Sequence, residues 1–235
     1  MSKYDDVKNK NNEEVLLLNK KQDKNIFLFP PIIGYGIVYK NLAKRIKTHS
    51  FYSFDFIESD DRIDQYVNII TRIQPEGDYI LLGYSIGGNV AFEVAKKLIE
   101  KGYKVANIIM IDSYKKDQKI AVLEEEANKY VEEKIKKLYE EEISKYIDDL
   151  LIEKKISDKI RSYYKYSRNI INEGKLSTNI ELLVSEENMN FVEKINKWNG
   201  LVEGKINIYN GFGQHVEMLS LENNIAILVD ILKYL

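Results

Sequence analysis

No cysteine occurs anywhere in this chain. That excludes disulfides, thiolate-bound zinc and a cysteine nucleophile. Histidine is almost as scarce. His49 and His215 are the two present, too few for a histidine-rich metal site, and no metal is expected. No apolar run approaches the ~20 residues of a membrane-spanning helix. No signal peptide is visible either, so a cytoplasmic location is expected. The formal net charge of −2 gives no basic excess that would point to nucleic acid or an anionic membrane.

What remains is sufficient for a folded domain. Hydrophobic residues make up 44% of 235 positions, enough for a sizeable core in one α/β domain with room for an insertion. Residues 1–25 are polar and charged apart from Val15-Leu16-Leu17-Leu18, and read as a flexible leader or the remnant of a linker. The domain proper is expected over 26–235. Ile26-Phe27-Leu28-Phe29 reads as a strand ended by Pro30-Pro31. Val38, Leu42, Ala43 and Ile46 mark a helix, Phe51 to Phe54 a strand, and Ile63, Val67, Ile70 and Ile73 a second helix stopped by Pro75 and Gly77. Tyr79 to Leu82 and Val105 to Ile111 are further strands, with an amphipathic helix between them. Such alternation predicts a mostly parallel sheet covered by helices on both faces. Sites in such sheets lie beyond the carboxyl ends of the strands.

The alternation stops after Asp112. From about 115 to 175 no strand is legible. Leu123, Ala127, Tyr130, Val131, Ile135 and Leu138 keep helical spacing. So do Ile143, Tyr146, Ile147, Leu150 and Leu151, and then Ile156, Ile160, Tyr163 and Tyr164. We read amphipathic helices inserted at the site edge of the sheet, forming a helical lid. The sheet resumes at Asn179 to Val184. A helix with Phe191, Ile195 and Trp198 follows, then a strand over Lys205 to Tyr209 and a last helix with Ile225, Leu228, Val229 and Leu232.

The chemistry centres on Gly83-Tyr84-Ser85-Ile86-Gly87. A G-x-S-x-G run between a strand and a helix is the pattern of a nucleophile elbow, in which a strained turn lifts the serine hydroxyl above the sheet. The helix start directs free N–H groups toward it, which suits an oxyanion. A serine hydroxyl needs a neighbouring base. His49 precedes the second strand, at the wrong end of the sheet, and reads as a surface residue. His215 lies in the loop Gly211-Phe212-Gly213-Gln214-His215 after the last strand, at the right end. The acid orienting the imidazole is open on spacing. Asp112 follows the apolar strand Ile108 to Ile111 and is favoured because that strand would hold it firmly, while Glu186 and Glu187 follow a later strand. Either order is Ser…acid…His. Of the two oxyanion donors, one is expected from Ile86 N–H. The other should come from the loop after the first strand, where Pro30 and Pro31 have no N–H and Ile32 is the first donor.

These residues resemble the terminal thioesterase domains of non-ribosomal peptide synthetases, and among them the surfactin-type cyclising thioesterases. The likeness runs through Phe29-Pro30-Pro31-Ile32-Ile33-Gly34-Tyr35-Gly36, Phe54-Asp55-Phe56, Gly83-Tyr84-Ser85-Ile86-Gly87-Gly88, Ile111-Asp112-Ser113-Tyr114-Lys115-Lys116 and Gly211-Phe212-Gly213-Gln214-His215-Val216-Glu217. It extends from about Ile26 to the C-terminus and is loosest in the lid. It implies an α/β-hydrolase fold, a triad of Ser85, Asp112 and His215, and oxyanion donors at Ile32 and Ile86. Pro31 and Lys116 would line the substrate bowl. It implies no cofactor. The substrate, a peptide or lipopeptide, would arrive as a thioester on the phosphopantetheine arm of a peptidyl carrier protein domain. It would pass to Ser85 and leave by macrocyclisation or hydrolysis. With no carrier domain ahead of it, the chain is expected to be an excised domain or a free-standing protein. Stand-alone editing thioesterases share the fold but tend to carry Gly-His-Ser and Gly-Gly-His where this chain has Gly83-Tyr84-Ser85 and Gly213-Gln214-His215. Editing of misacylated carriers, general carboxylesterase activity and ligand binding on a hydrolase scaffold are the competing readings.

Overall fold

The computed structural model describes residues 15–140, 150–190, 193 and 196–235, with side chains at 137–140 and 150–153 outside that description. Seven strands form one sheet: β1 (Val15–Leu17), β2 (Lys24–Phe29), β3 (His49–Phe54), β4 (Tyr79–Tyr84), β5 (Val105–Ile111), β6 (Asn179–Val184) and β7 (Ile206–Asn210). Their order is β1-β3-β2-β4-β5-β6-β7. Every neighbouring pair is parallel except β1 with β3. Among the described residues the α-helices are α1 (Lys40–Arg45), α2 (Arg62–Ile73), α3 (Ile86–Glu100), α4 (Glu124–Glu140), α5 (Leu150–Asn169) and α6 (Glu222–Lys233).

Period-two alternation in the central strands divides the core into two layers. Phe27, Phe29, Leu81, Ile108 and Met110 face α2 and α3, where Tyr66, Val67, Val90, Val94 and Leu98 are buried. Ile26, Leu28, Leu82, Ile109 and Ile111 face the other way, onto Leu42 and Ala43 of α1 and Leu228 and Leu232 of α6. Strands buried on both sides read as unbroken apolar runs, which is why they were legible.

One expectation needs correction. The leader predicted over 1–25 does not extend that far. Val15–Leu17 pairs antiparallel with β3, Leu16 is buried, and the Asn19 amide donates to the His49 carbonyl at 2.8 Å. A three-residue edge strand amid polar residues has no periodicity of its own; pairing with β3 creates it. His49 opens β3 in register with Lys24 of β2 and is 1% exposed rather than on the surface. Burial, with Lys24 nearby, lowers its pKa to about 4. Phe191, Ile195, Ile143, Tyr146 and Ile147 lie outside the described residues.

Among the described residues, α4 and α5 occupy the stretch between β5 and β6. α5 is fixed to the body of the domain. Tyr163 is fully buried, stacks on Phe56 at 3.9 Å between ring centroids and donates to the Pro30 carbonyl at 2.8 Å. Lys159 donates to the Phe56 carbonyl at 2.8 Å. α4 lies along α5 through buried Ala127 and Val131 and a Tyr130–Tyr164 stack at 4.1 Å.

Candidate active site

β4 ends in a sharp turn at Ser85, whose backbone is at φ 57, ψ −127. A left-handed φ on a residue with a side chain is strained and held by its surroundings. Here Ser85 N–H donates to the Ile111 carbonyl at 2.8 Å, and the Ser113 hydroxyl donates to the Ser85 carbonyl at 2.7 Å. The flanking glycines are set by close approach. A Cβ on Gly83 would lie 2.2 Å from the Gly87 backbone, and one on Gly87 would lie 2.3 Å from the Phe29 carbonyl oxygen.

Three side chains from distant parts of the chain meet at this turn. His215 Nε2 lies 3.0 Å from Ser85 Oγ, and His215 Nδ1 lies 2.6 Å from Asp112 Oδ2. The Asp112 carboxylate is fully buried and surrounded by donors. Its Oδ1 accepts from Tyr114 hydroxyl at 2.8 Å and Ser185 N–H at 3.0 Å. Its Oδ2 accepts, besides the imidazole, from Ser185 hydroxyl and Asn188 amide at 2.9 Å each. Burial alone would raise this carboxyl; the hydrogen bonds, that of His215 foremost, outweigh it and hold the pKa down to about 2. Asp112 is therefore an anion at neutral pH. A carboxylate at Nδ1 fixes a neutral imidazole with Nδ1 protonated, leaving Nε2 free to accept the serine proton.

Glu186 and Glu187, the other acids considered, face backbone instead. Glu186 accepts from Gly213 N–H at 3.1 Å, and Glu187 from His215 N–H at 2.6 Å. Neither approaches the imidazole as Asp112 does. Ile86 opens α3, so its N–H has no carbonyl four residues back to bond. Ile32 follows Pro31 in a turn closed by Gly34 N–H on the Pro31 carbonyl at 2.8 Å.

Pro31, Ile32, Ser85, Ile86, Asp112, Lys116 and His215 all line one cavity of about 780 Å³. α4 and α5 supply the opposite wall with Tyr130, Lys134, Tyr164 and Arg168. Lys116 is half-buried. Burial, and then the charge of Arg168, lower its pKa, against a weaker upward pull from Asp117. Sequence reasoning missed Ser185 and Asn188, whose contacts with Asp112 span more than seventy residues. It missed Arg168 too, one cation among many on a charged helix. Tyr114, two residues from Asp112, could have been found from its place at the same strand end.

A family model for the thioesterase domain matches residues 24–235. The chain belongs to the thioesterase domain family. This thioesterase domain is 37% identical over 224 residues to surfactin synthase subunit 3 of Bacillus subtilis (strain 168), covering 94% of the chain and 17% of that relative. It is 36% identical over 237 residues to tyrocidine synthase 3 of Brevibacillus parabrevis, covering 94% of the chain and 4% of the relative. The thioesterase domain thus spans about a sixth or less of the length of these curated relatives. Among solved structures, the surfactin thioesterase domain, described in connection with cyclisation of the lipopeptide antibiotic surfactin, superposes with a TM-score of 0.80. It is 35% identical, with 94% of this chain and 96% of that one covered. The Vlm2 thioesterase domain bound to a dodecadepsipeptide shares the fold at a TM-score of 0.74 and 16% identity, covering 94% and 97%. The thioesterase reading and the α/β-hydrolase fold expected from the sequence agree with these matches. No helix among the described residues is long and apolar enough to cross a membrane.

Proposed function

We propose that this thioesterase domain releases a peptidyl or lipopeptidyl chain from the phosphopantetheine thioester of a peptidyl carrier domain, by macrocyclisation or hydrolysis. The observation that carries the reading is the hydrogen-bonded line Ser85–His215–Asp112 opening into a cavity of about 780 Å³. Likeness over nearly the whole chain to the surfactin thioesterase domain supports the substrate class.

His215 Nε2 takes the Ser85 proton as Oγ attacks the thioester carbonyl. The buried Asp112 anion stabilises the imidazolium that forms. Negative charge builds on the former carbonyl oxygen beside the N-terminus of α3, where the Ile86 and Ile32 N–H groups serve as donors. The thiol departs with the imidazolium proton and leaves an ester on Ser85. An amine or hydroxyl of the same chain, or water, then attacks this ester, with His215 again taking a proton. The helices α4 and α5 act as a lid. Excluding water there favours attack from within the chain. Lys116 and Arg168 on the cavity wall favour an acyl group that carries carboxylates. No cofactor takes part; the pantetheine arm belongs to the substrate.

A panel of acyl-pantetheine thioesters tests the reading. Long peptidyl chains released faster than acetyl or aminoacyl groups support it. Preference for the short groups would indicate an editing thioesterase instead. Equal turnover of simple esters would indicate a general carboxylesterase.

A further inference from the structure

The loop carrying His215 has no strand or long helix to hold it, and a loop of this kind opens readily unless its backbone is bonded. Here three successive amides are each taken by a carboxylate. Gly213 N–H donates to Glu186 at 3.1 Å, Gln214 N–H to Glu217 at 2.7 Å, and His215 N–H to Glu187 at 2.6 Å. On the other side of the His215 α-carbon, its carbonyl accepts the phenol O–H of Tyr84. Tyr84 immediately precedes Ser85 and is 8% exposed. Its own N–H donates to the Tyr39 hydroxyl at 2.9 Å, and that hydroxyl donates to the Phe29 carbonyl at 2.5 Å. Its ring lies 5.3 Å from the His215 ring. Burial, with Asp112 and Glu187 adding like charge, raises the phenol pKa, so Tyr84 stays a donor at any working pH.

We propose that Tyr84 and Glu187 are positioning residues that clamp the His215 backbone from both sides and so set the reach of its imidazole to Ser85. The proposal rests on the serine–histidine chemistry proposed above. The logic is geometric. With the peptide groups on either side of the α-carbon fixed, two side-chain torsions remain, and the bond from Nδ1 to Asp112 settles those. The turn that bears Glu187 also bears Ser185 and Asn188, which hold Asp112. One short segment after β6 therefore locates both the imidazole and its carboxylate. Tyr84 ties them to the nucleophile through its chain neighbour. A displacement of ~1 Å in such an arrangement can cost about a hundredfold in rate.

The test uses Tyr84→Phe, Glu187→Ala and Glu187→Gln, with Ser85→Ala alongside. Two readouts serve: the rate of Ser85 inactivation by a fluorophosphonate, and steady-state hydrolysis of a decanoyl-pantetheine thioester. Tyr84→Phe and Glu187→Ala should each lower the inactivation rate and kcat about tenfold, the rate equivalent of one net hydrogen bond, with KM within about twofold. Glu187→Gln, whose amide oxygen still accepts from His215 N–H, should recover most of the loss. The double variant should lose less than the product of the single losses, because both bonds act on one segment. A general loosening of the fold would not divide kcat from KM or be rescued by glutamine. Wild-type inactivation rate and kcat in both Tyr84→Phe and Glu187→Ala, with Ser85→Ala inactive, would overturn the clamp alone. Activity surviving in Ser85→Ala would overturn the underlying chemistry and the clamp with it. If Tyr84→Phe does not fold, exposed Glu187 decides the matter: equal rates in the alanine variant and wild type refute the clamp.

Discussion

Replacing Asp112 by asparagine changes one atom in a site where every partner is a donor. Five groups donate to this carboxylate: Tyr114 hydroxyl, Ser185 N–H and hydroxyl, Asn188 amide and His215 Nδ1. The new NH₂ cannot face the Ser185 N–H at the Oδ1 position, because a backbone amide has no acceptor to offer. It must take the Oδ2 position. There the Ser185 hydroxyl can rotate to accept and the Asn188 side chain can turn its oxygen inward. His215 can accommodate it by shifting its proton from Nδ1 to Nε2. An imidazole with Nε2 protonated donates to Ser85 and cannot take its proton. The fold survives, while general-base catalysis, worth about 10²–10⁴ in rate, is lost. The loss of bonds to the anion costs on the order of 2–3 kcal/mol of stability, from the fall of the carboxyl pKa from 3.8 to about 2. The assay is steady-state release from an acyl-pantetheine thioester, with thermal unfolding of the same samples. A variant that folds and keeps more than about a tenth of the wild-type kcat would refute this reasoning, since an intact base step is the one way to retain it.

Two further outcomes follow from other contacts. Tyr163→Ala removes a fully buried ring stacked on Phe56 and bonded to Pro30; denaturant unfolding should show a loss of about 3–5 kcal/mol, whereas a change near zero would mean that α5 is not fixed by this residue. His49 is held neutral when folded, with a pKa of about 4 against 6.5 when free. Its contribution to stability is therefore full above pH 6.5 and is lost as pH falls from 6.5 through 4. His49→Asn should flatten the stability profile across that window, while Asp112 acts only below it. A profile of unchanged slope would contradict the assignment.

The fold was legible where local pattern and tertiary role coincide. β2, β4 and β5 carry the apolar runs Ile26–Phe29, Tyr79–Leu82 and Ile108–Ile111 because both their faces are covered there. α2 and α3 keep a clear helical stripe, and Gly83 and Gly87 mark the turn because any side chain there would strike backbone. Ser85 stood out because it sits in a G-x-S-x-G turn between a strand and a helix, and His215 because only two histidines are present. The rest depended on contacts that sequence spacing does not encode. β1 exists through its pairing with β3. His49 is buried at the start of β3, where sequence spacing placed a surface residue. Ser185 and Asn188 serve Asp112 across a sheet, and the two glutamates that looked like candidate acids hold the histidine loop by its amides. Arg168 is one more cation on a charged helix until α5 is folded over the cavity.

The most direct measurement is intact-protein and peptide mass spectrometry after mixing the protein with a fluorophosphonate or a slowly released peptidyl-pantetheine thioester. A single adduct on Ser85, absent from Ser85→Ala together with all turnover, is the expected result. An adduct on another residue, or Ser85→Ala turning over substrate at the wild-type rate, would contradict the assignment of Ser85 as the atom that receives the acyl chain.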